Sequence, residues 1–374
     1  MSSLPDFTIC GTLGKACSGL SDVLLVKRLA DESLAALRIL PTEKMDYEKI
    51  KEEVWFLKWL SHPCIISVNQ IISVGSDVYV FSIYCDLCSV LNVVHNHYPC
   101  GLPEKAIAQV LKNVLLAVQS IRCSHILLHS TGAVKLTGFR HCVFLQRNEL
   151  TGTDNVLHNF DAEISDELLW LAPEILRQDL YGYGLSSDVY SIGITICEMA
   201  NGFPPFSDMD RLQMLFEKSK GTTPRLLDCT TLPDKEDMQR DQQYRQRRRF
   251  SESLHVITDN CLKPLPENRW SVSKLLAHPH ILLFILKKVR YWVLPLFRIA
   301  AIREDGLRTT LPYVSSSFHV AASLRFASHP EAYGTFPTAS ELAGTCMTHW
   351  VLLDASTDSS CELQAHFSPN LPSN

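Results

Sequence analysis

The spacing of apolar residues divides the chain into a strand-rich first part and a helical second part. Two alternating apolar runs, 68–74 and 78–83, flank a Gly-Ser-Asp turn and predict a β-hairpin. Between residues 47 and 60, apolar residues recur every three or four positions, which predicts an amphipathic helix. We therefore expect about the first 85 residues to form a sheet with one helix.

The later part of the chain carries mainly helical periodicity. Apolar residues between Ile107 and Val118 form one stripe at helical spacing. The run 189–199 is apolar nearly all round, as in a helix at the centre of a core, and the side chains of 186–188 offer N-capping oxygens. Short apolar runs around Ser-Thr-Gly at 130–132 predict a second hairpin. A small strand lobe followed by a larger helical lobe predicts an α+β fold with a cleft between the lobes.

Composition narrows the classes of function. The chain has 374 residues, enough for a two-lobed domain with a tail, and 46% of them are hydrophobic. A net charge of −5 gives no general attraction to nucleic acid or acidic membranes. The start of the chain, MSSLPDFTIC, lacks a basic and apolar leader, so secretion is not expected.

Cysteine usage indicates a reducing compartment. The 13 cysteines are odd in number and follow no framework, which favours reduced thiols in the cytosol or nucleus. Cys85 and Cys88 form a Cys-x-x-Cys, but zinc needs four ligands and no second Cys pair accompanies them. We favour two ordinary thiols there over a zinc site, and we expect no metal.

Three further segments have simple interpretations. Residues 231–252 are polar and predict a solvated loop, with a nuclear-import or docking patch as the alternative; their arginines include Arg245, Arg247, Arg248 and Arg249. Charges and Pro295 interrupt the apolar run 281–302, which favours a helix packed on the domain or an interfacial segment over a membrane span. Residues 303–374 lack any sustained period and predict a disordered tail.

A series of motifs, in order and at matching spacing, resembles a protein kinase domain over about residues 8–282. The strongest are scaffold motifs: Leu-Ala-Pro-Glu at 171–174, Asp-Val-Tyr-Ser-Ile-Gly at 188–193 and Pro-Glu-Asn-Arg-Trp at 266–270. The resemblance implies that Arg269 pairs with Glu174. It also implies a β-rich N-lobe at 8–86 and a helical C-lobe at 87–282, followed at 283–374 by the apolar segment and the tail. Such motifs indicate a fold and leave activity open.

Residues of the N-lobe stand where kinases bind the nucleotide. Gly14, Ala16 and Gly19 occupy positions of the glycine-rich loop, whose backbone N–H groups approach phosphates; a plain hairpin turn is the alternative. Arg38 stands where kinases place the strand lysine that meets the α- and β-phosphates. Glu53 stands at the helix glutamate that pairs with this lysine. Two solvated charges are the alternative for this pair.

The groups that kinases use for catalysis are missing from their positions. An active kinase needs the Asp of H-R-D, and an Asn and the Asp of D-F-G hold two magnesium ions. Here the D-F-G slot reads Gly-Phe-Arg, so Gly138 offers no metal ligand and Arg140 would repel a cation. The catalytic loop is truncated near 119–120, which leaves Ser120 at the Asp position and His125 at the Asn position. Losing one electrostatic donor typically removes ~3–4 kcal/mol of transition-state stabilisation. Because the base and both metal ligands are missing together, we expect no catalytic residues and essentially no phosphoryl transfer.

Longer stretches resemble the STRAD family of pseudokinase adaptors, the STE20-related kinase adaptors. They lie at 123–127, 137–140, 169–174, 176–183, 187–195, 197–202 and 208–218. The resemblance implies an adaptor in signal transduction that binds and allosterically activates a tumour-suppressor serine/threonine kinase, in cytoplasm and nucleus. It also implies binding of ATP without phosphotransfer; Arg38, Arg122 and Arg140 would neutralise the phosphates without magnesium. The activation segment, about residues 141–170, would be the contact surface.

The chain departs from that family in two places. About ten residues are missing before Ser120, which removes a strand and the His-Arg pair. The family's Trp-Glu-Phe tail, which docks a helical-repeat scaffold protein, is absent, and this argues against scaffold binding. Three functions stay open: a catalytically inactive adaptor, an inert or unstable divergent or spliced product, and a weak Ser/Thr kinase with relocated catalytic groups. The adaptor is favoured because the scaffold motifs are intact.

Overall fold

The computed structural model describes residues 6–16, 19–117, 125–140, 142, 156–158, 160, 168–232 and 240–286. It has the predicted α+β architecture, with a β-sheet lobe followed by a helical lobe. The predicted tail at 303–374 and most of the apolar segment lie outside these residues.

The N-lobe is an antiparallel five-stranded sheet in the order β1-β2-β3-β5-β4 with one helix, as expected. Its elements are β1 Phe7–Ala16, β2 Ser21–Arg28, β3 Leu34–Pro41, α1 Tyr47–Trp59, β4 Val68–Val74 and β5 Asp77–Ile83. The predicted hairpin is β4–β5, and the predicted helix is α1. Asp46 caps α1 by accepting from the Glu48 N–H at 3.0 Å, and the helix buries Ile50, Phe56 and Leu57.

Where the structure describes it, the C-lobe is built from helices and one short hairpin. Its elements are α2 Val90–His97, α3 Glu104–Ala117, β6 Ile126–Leu128, β7 Val134–Leu136, α4 Pro173–Leu176, α5 Leu185–Asn201, α6 Arg211–Lys220, α7 Arg240–Arg247, α8 Glu252–Cys261, a 3₁₀ turn Pro266–Asn268, α9 Val272–Leu276 and α10 Pro279–Leu286. The predicted second hairpin is β6–β7, which pairs Ile126 with Leu136. The predicted stripe on α3 is buried at Ile107, Leu111 and Val114.

Helix α5 is the buried centre of the C-lobe, as its apolar sequence predicts, but it starts earlier than expected. The helix begins at Leu185 after an extended Gly184, and no side chain caps it. Residues 186–188 therefore lie in the first turn, and Ser187 instead donates to Glu174 Oε1 at 2.6 Å. At the other end, Gly202 has φ +91° and lies so close to the Pro99 carbonyl that any Cβ there would overlap with it.

The interpretation of 231–252 as a solvated loop is wrong for residues 240–247, which form α7, and for the environments of Arg245 and Arg248. Arg245 is buried and donates to the Asn201 carbonyl at 3.2 Å. Arg248 donates to the Leu227 carbonyl at 2.7 and 2.9 Å. Asn201 is the last residue of α5, and since the last carbonyls of a helix lack intrahelical donors, the Arg245 guanidinium supplies one here. Arg247 and Arg249 are exposed.

The apolar segment after residue 280 begins as a helix on the domain. Ile281 is buried, and α10 contacts α3. Within the part of the chain that the structure describes, no helix is both long and apolar enough to cross a membrane.

Candidate interlobe site

The centre of the candidate site is an ion pair between the sheet and the helix of the N-lobe. Arg38 lies on β3 and Glu53 on α1, and Arg38 Nη2 lies 2.6 Å from Glu53 Oε1. The side chain of Glu53 is 1% exposed and that of Arg38 is 15% exposed. The two side chains are therefore a buried pair, and the alternative of two solvated charges is wrong. Glu53 Oε2 has no hydrogen-bond partner among the described residues.

The glycine-rich stretch lies beside this ion pair in the sheet. The strand register places Gly14 opposite Val23, and Val23 opposite Arg38. Since neighbouring strands lie ~4.8 Å apart, the backbones of Gly14 and Arg38 lie about 10 Å apart. Ala16 ends β1, and the N–H of Gly19, at φ +85°, donates to the Ala16 carbonyl at 3.2 Å. This hairpin tip fits both a phosphate loop and a plain turn, so both interpretations stay open.

The position of the D-F-G aspartate holds a glycine that the fold requires. Gly138 follows β7 with φ +90°, a left-handed conformation that side chains rarely adopt. A Cβ at this position would lie 2.5 Å from Cε1 of the His125 ring. The imidazole therefore occupies the space that a side chain of residue 138 would need. Phe139 is buried in the core, and Arg140 is half-buried.

Other expected residues are only partly described. Ser120 and Arg122 lie outside the described residues, as does most of the predicted contact segment 141–170. Where that segment is described, Leu157 exchanges two 2.9 Å backbone hydrogen bonds with Tyr183. The rings of Phe160 and Tyr183 lie 5.5 Å apart between centroids. The Tyr183 loop before α5 thus holds this part of the segment.

Burial raises the pKa of both thiols of the Cys-x-x-Cys. Cys85 is a buried residue whose pKa rises to about 11, and Cys88 is an exposed residue with φ +61° whose thiol pKa is also raised. Over the described ranges, no cluster of three or more His, Cys, Asp or Glu side chains could hold a metal ion.

The scaffold ion pair predicted from the motifs is confirmed. Arg269 Nη1 and Nη2 donate to the two carboxylate oxygens of Glu174 at 2.6 and 2.7 Å. The same guanidinium donates to the carbonyls of Ser186 at 2.9 Å and Lys263 at 2.8 Å. This bidentate geometry fixes the motif at 171–174 to the segment that follows α8.

Sequence reasoning also missed the buried cation Lys218 on α6. Its side chain is fully buried, and its Nζ donates to three backbone carbonyls of residues 168–171. A signal was present, because Lys218 lies four residues after the buried Met214 and so on the same face of the helix.

Comparison with known proteins identifies the same fold and a family of relatives. The family model for the protein kinase domain matches residues 8–281. The STE20-related kinase adapter protein strd-1 of Caenorhabditis elegans is 32% identical over 277 residues, covering 70% of this chain and 68% of the relative. The human STE20-related kinase adapter protein alpha is 30% identical over 318 residues, covering 74% and 73%. The human beta protein is 28% identical over 305 residues, covering 71% and 72%. The chain therefore belongs to the STE20-related kinase adapter family of protein kinase-like proteins.

Proposed function

We propose that this chain is a catalytically inactive pseudokinase adaptor that binds a tumour-suppressor serine/threonine kinase and activates it allosterically. The observation that carries the proposal is the intact Arg38–Glu53 pair, together with a glycine at the metal-ligand position whose side-chain space the His125 ring fills. In kinases, the strand cation and the helix glutamate must pair in the active conformation. The chain thus keeps a feature of the active shape while it lacks the metal ligand. Its relatives are named as kinase adapter proteins.

The absence of turnover follows from the chemistry of phosphoryl transfer. Two magnesium ions and a positioned base supply most of the stabilisation of the transition state. Magnesium prefers oxygen ligands at short, octahedral distances, and Gly138 supplies none. A carboxylate restored at this position would collide with the His125 ring. A weak kinase with relocated groups would need one or two carboxylates at another place to hold magnesium together with the phosphates.

Within this proposal, ATP binds without magnesium and acts as a structural ligand. Arg38 would meet the phosphates from β3, and Arg122 and Arg140 would add positive charge. Gly14, Ala16 and Gly19 would cover the phosphates with backbone N–H groups. A ligand that binds only the closed arrangement of the lobes shifts the population toward it. A thermal-shift titration of ATP in EDTA tests this step, and absence of any stabilisation would remove it.

The partner would meet the surface of the activation segment in the cytoplasm or nucleus. The scaffold protein implied by the resemblance is not needed for this step. An inert or unstable product is the competing hypothesis. Burial of Ile107, Leu111 and Val114 on α3, next to the truncated loop, supports a packed C-lobe. Non-cooperative thermal unfolding of the purified chain would favour the inert product instead.

The decisive experiment is purification of the tagged full chain from cells, with bound proteins identified by mass spectrometry. We expect one serine/threonine kinase in a stoichiometric complex. The purified kinase should then gain activity when the purified chain is added. A chain that unfolds cooperatively but recovers no kinase, or leaves the kinase rate unchanged, would overturn the proposal.

A further inference from the structure

Lys218 joins helix α6 to the end of the activation segment. Its Nζ lies 2.9 Å from the carbonyl oxygen of Leu168, 2.7 Å from that of Leu169 and 2.8 Å from that of Leu171. These carbonyls lie just before and at the first residue of the motif at 171–174. Residues 168–171 form a turn and bend outside any helix or strand, so their carbonyls depend on donors from elsewhere.

The hydrogen bonds define the charge of this side chain. Three acceptors require three N–H donors, and only the ammonium form of lysine has three. Burial lowers the pKa of Lys218, and Arg269 acts in the same direction, while Glu174 opposes both. The rings of Tyr190 and Phe206 lie 5.2 and 5.7 Å from Nζ and stabilise a cation further. The carbonyls and rings therefore retain a charged lysine in the core.

Packing alone does not explain a lysine at this position. An apolar side chain of similar length would fill the same volume without the cost of removing a charge from water. What lysine adds is a fixed distance between α6 and three neighbouring carbonyls. A second contact ties the same regions, since Arg177 after α4 donates to the Ser219 carbonyl at 3.5 Å.

We propose that Lys218 is a positioning residue that fixes residues 168–171 against α6 and thereby sets the contact surface for the partner kinase. The first half of this proposal, that Lys218 fixes residues 168–171, concerns the chain alone. The second half, that it sets the contact surface, rests on the proposed function, because the activation segment is the proposed contact surface.

Hydrogen–deuterium exchange of the full chain tests the first half. Lys218→Met keeps the length of the side chain but removes all donors, and Lys218→Arg keeps the charge and the donors. Lys220→Met, at an exposed position in the same last turn, is the matched control. We expect exchange around 168–172 to accelerate about tenfold or more in Lys218→Met and to stay near wild type in the other two, since bonds to charged groups are strong. A Lys218→Met chain that exchanges like wild type would show that the residue only packs.

Binding to the purified partner kinase tests the second half. We expect Lys218→Met to weaken the Kd about tenfold, with less than about threefold change in Lys218→Arg and Lys220→Met. If wild type and Lys218→Met bind equally, the positioning role is wrong and the adaptor function stands. If wild type binds no kinase, the adaptor function is wrong and the exchange result still decides the first half. Should Lys218→Met not fold, Lys218→Gln, with two donors, should show intermediate acceleration of exchange; wild-type exchange in that variant would overturn the proposal.

Discussion

Two buried ion pairs of this chain differ in how completely they are satisfied. In the C-lobe, both carboxylate oxygens of Glu174 accept from Arg269, and Ser187 adds a third hydrogen bond. In the N-lobe, Glu53 meets Arg38 through one oxygen, and its second oxygen has no partner among the described residues. The first pair is saturated and the second keeps spare hydrogen-bonding capacity.

This difference indicates what each region is for. A saturated buried network rigidifies one arrangement of a core. A buried carboxylate with an unused oxygen lowers the stability of the fold, so its presence indicates a role other than stability. The C-lobe pair is therefore a scaffold, while the proposed function assigns the N-lobe pair to a site that has kept its conformational role. In that proposal, Gly138 and His125 mark the position where the site has lost its catalytic groups.

The largest effect is expected from breaking the saturated pair. Arg269→Ala leaves the Glu174 carboxylate buried without its cation, which should lower the free energy of unfolding by about 3–5 kcal/mol. Denaturant unfolding of the purified chain measures this loss. Arg177→Ala is the control, because Arg177 lies 3.9 Å from Asp179 at a partly exposed position. Equal effects of the two substitutions would contradict the role of the saturated pair.

A smaller loss is expected from the pair facing the cleft. Arg38→Met should destabilise the chain by about 2–4 kcal/mol, since Arg38 is partly exposed and its removal strands one buried carboxylate. It should also abolish the thermal shift caused by ATP in EDTA. Arg28 ends the neighbouring strand β2, and Arg28→Met, which breaks its surface pair with Asp31 in the following turn, should leave that shift intact. An ATP shift that persists in Arg38→Met would remove Arg38 from the nucleotide site.

The glycine in the D-F-G slot should resist any side chain. Gly138→Ala should destabilise the chain by about 1–3 kcal/mol through its positive φ and the His125 ring. Gly138→Asp should restore no phosphotransfer to a peptide in magnesium and ATP. The control is Gly11→Ala on β1, where a new Cβ would meet no described atom within 4 Å. Measurable turnover by Gly138→Asp would show that the site is one substitution from activity.

The smallest effect is expected at an exposed ion pair. Lys27 Nζ lies 2.9 Å from Glu32, a distance similar to those in the buried pairs, but the two side chains are 40% and 80% exposed. Lys27→Ala should change the free energy of unfolding by less than about 1 kcal/mol. A loss comparable to that of Arg269→Ala would mean that distance, and not burial and saturation, determines the contribution of these pairs.

Local patterns and motifs predicted a large part of the molecule. The β4–β5 hairpin and α1 follow from periodicity within a few residues, and the Arg269–Glu174 pair follows from the order of the scaffold motifs. The burial of Arg245 and the carbonyl contacts of Arg248 and Lys218 were not predicted from the sequence, although the spacing of Lys218 from Met214 gave one signal of its burial. These side chains bond to carbonyls of distant segments, and polar sequence alone gives the same signal for a solvated helix. The start of α5 was missed because Ser187 bonds to Glu174 and does not cap the helix.

The candidate site was predicted in its residue types and only partly in its geometry. The sequence shows that Gly138 stands where kinases have the D-F-G aspartate. The close approach of the His125 ring could not be predicted, because it depends on packing after the truncated loop. The ion pair of Arg38 and Glu53 was expected as one of two alternatives, and only the fold decides between them. Ligand binding by Gly14, Ala16, Gly19 and Arg140 remains a prediction.

The central claim is that this chain transfers no phosphate itself but activates its partner kinase. The most direct test uses the purified complex of the two proteins. Phosphate transfer from labelled ATP is measured with the active partner and with a partner whose own catalytic aspartate is replaced. We expect the chain to raise the rate of the active partner and to leave no transfer at all in the complex with the inactive one. Phosphate transfer by the complex with the inactive partner would contradict the account, because only this chain could then supply the catalytic groups.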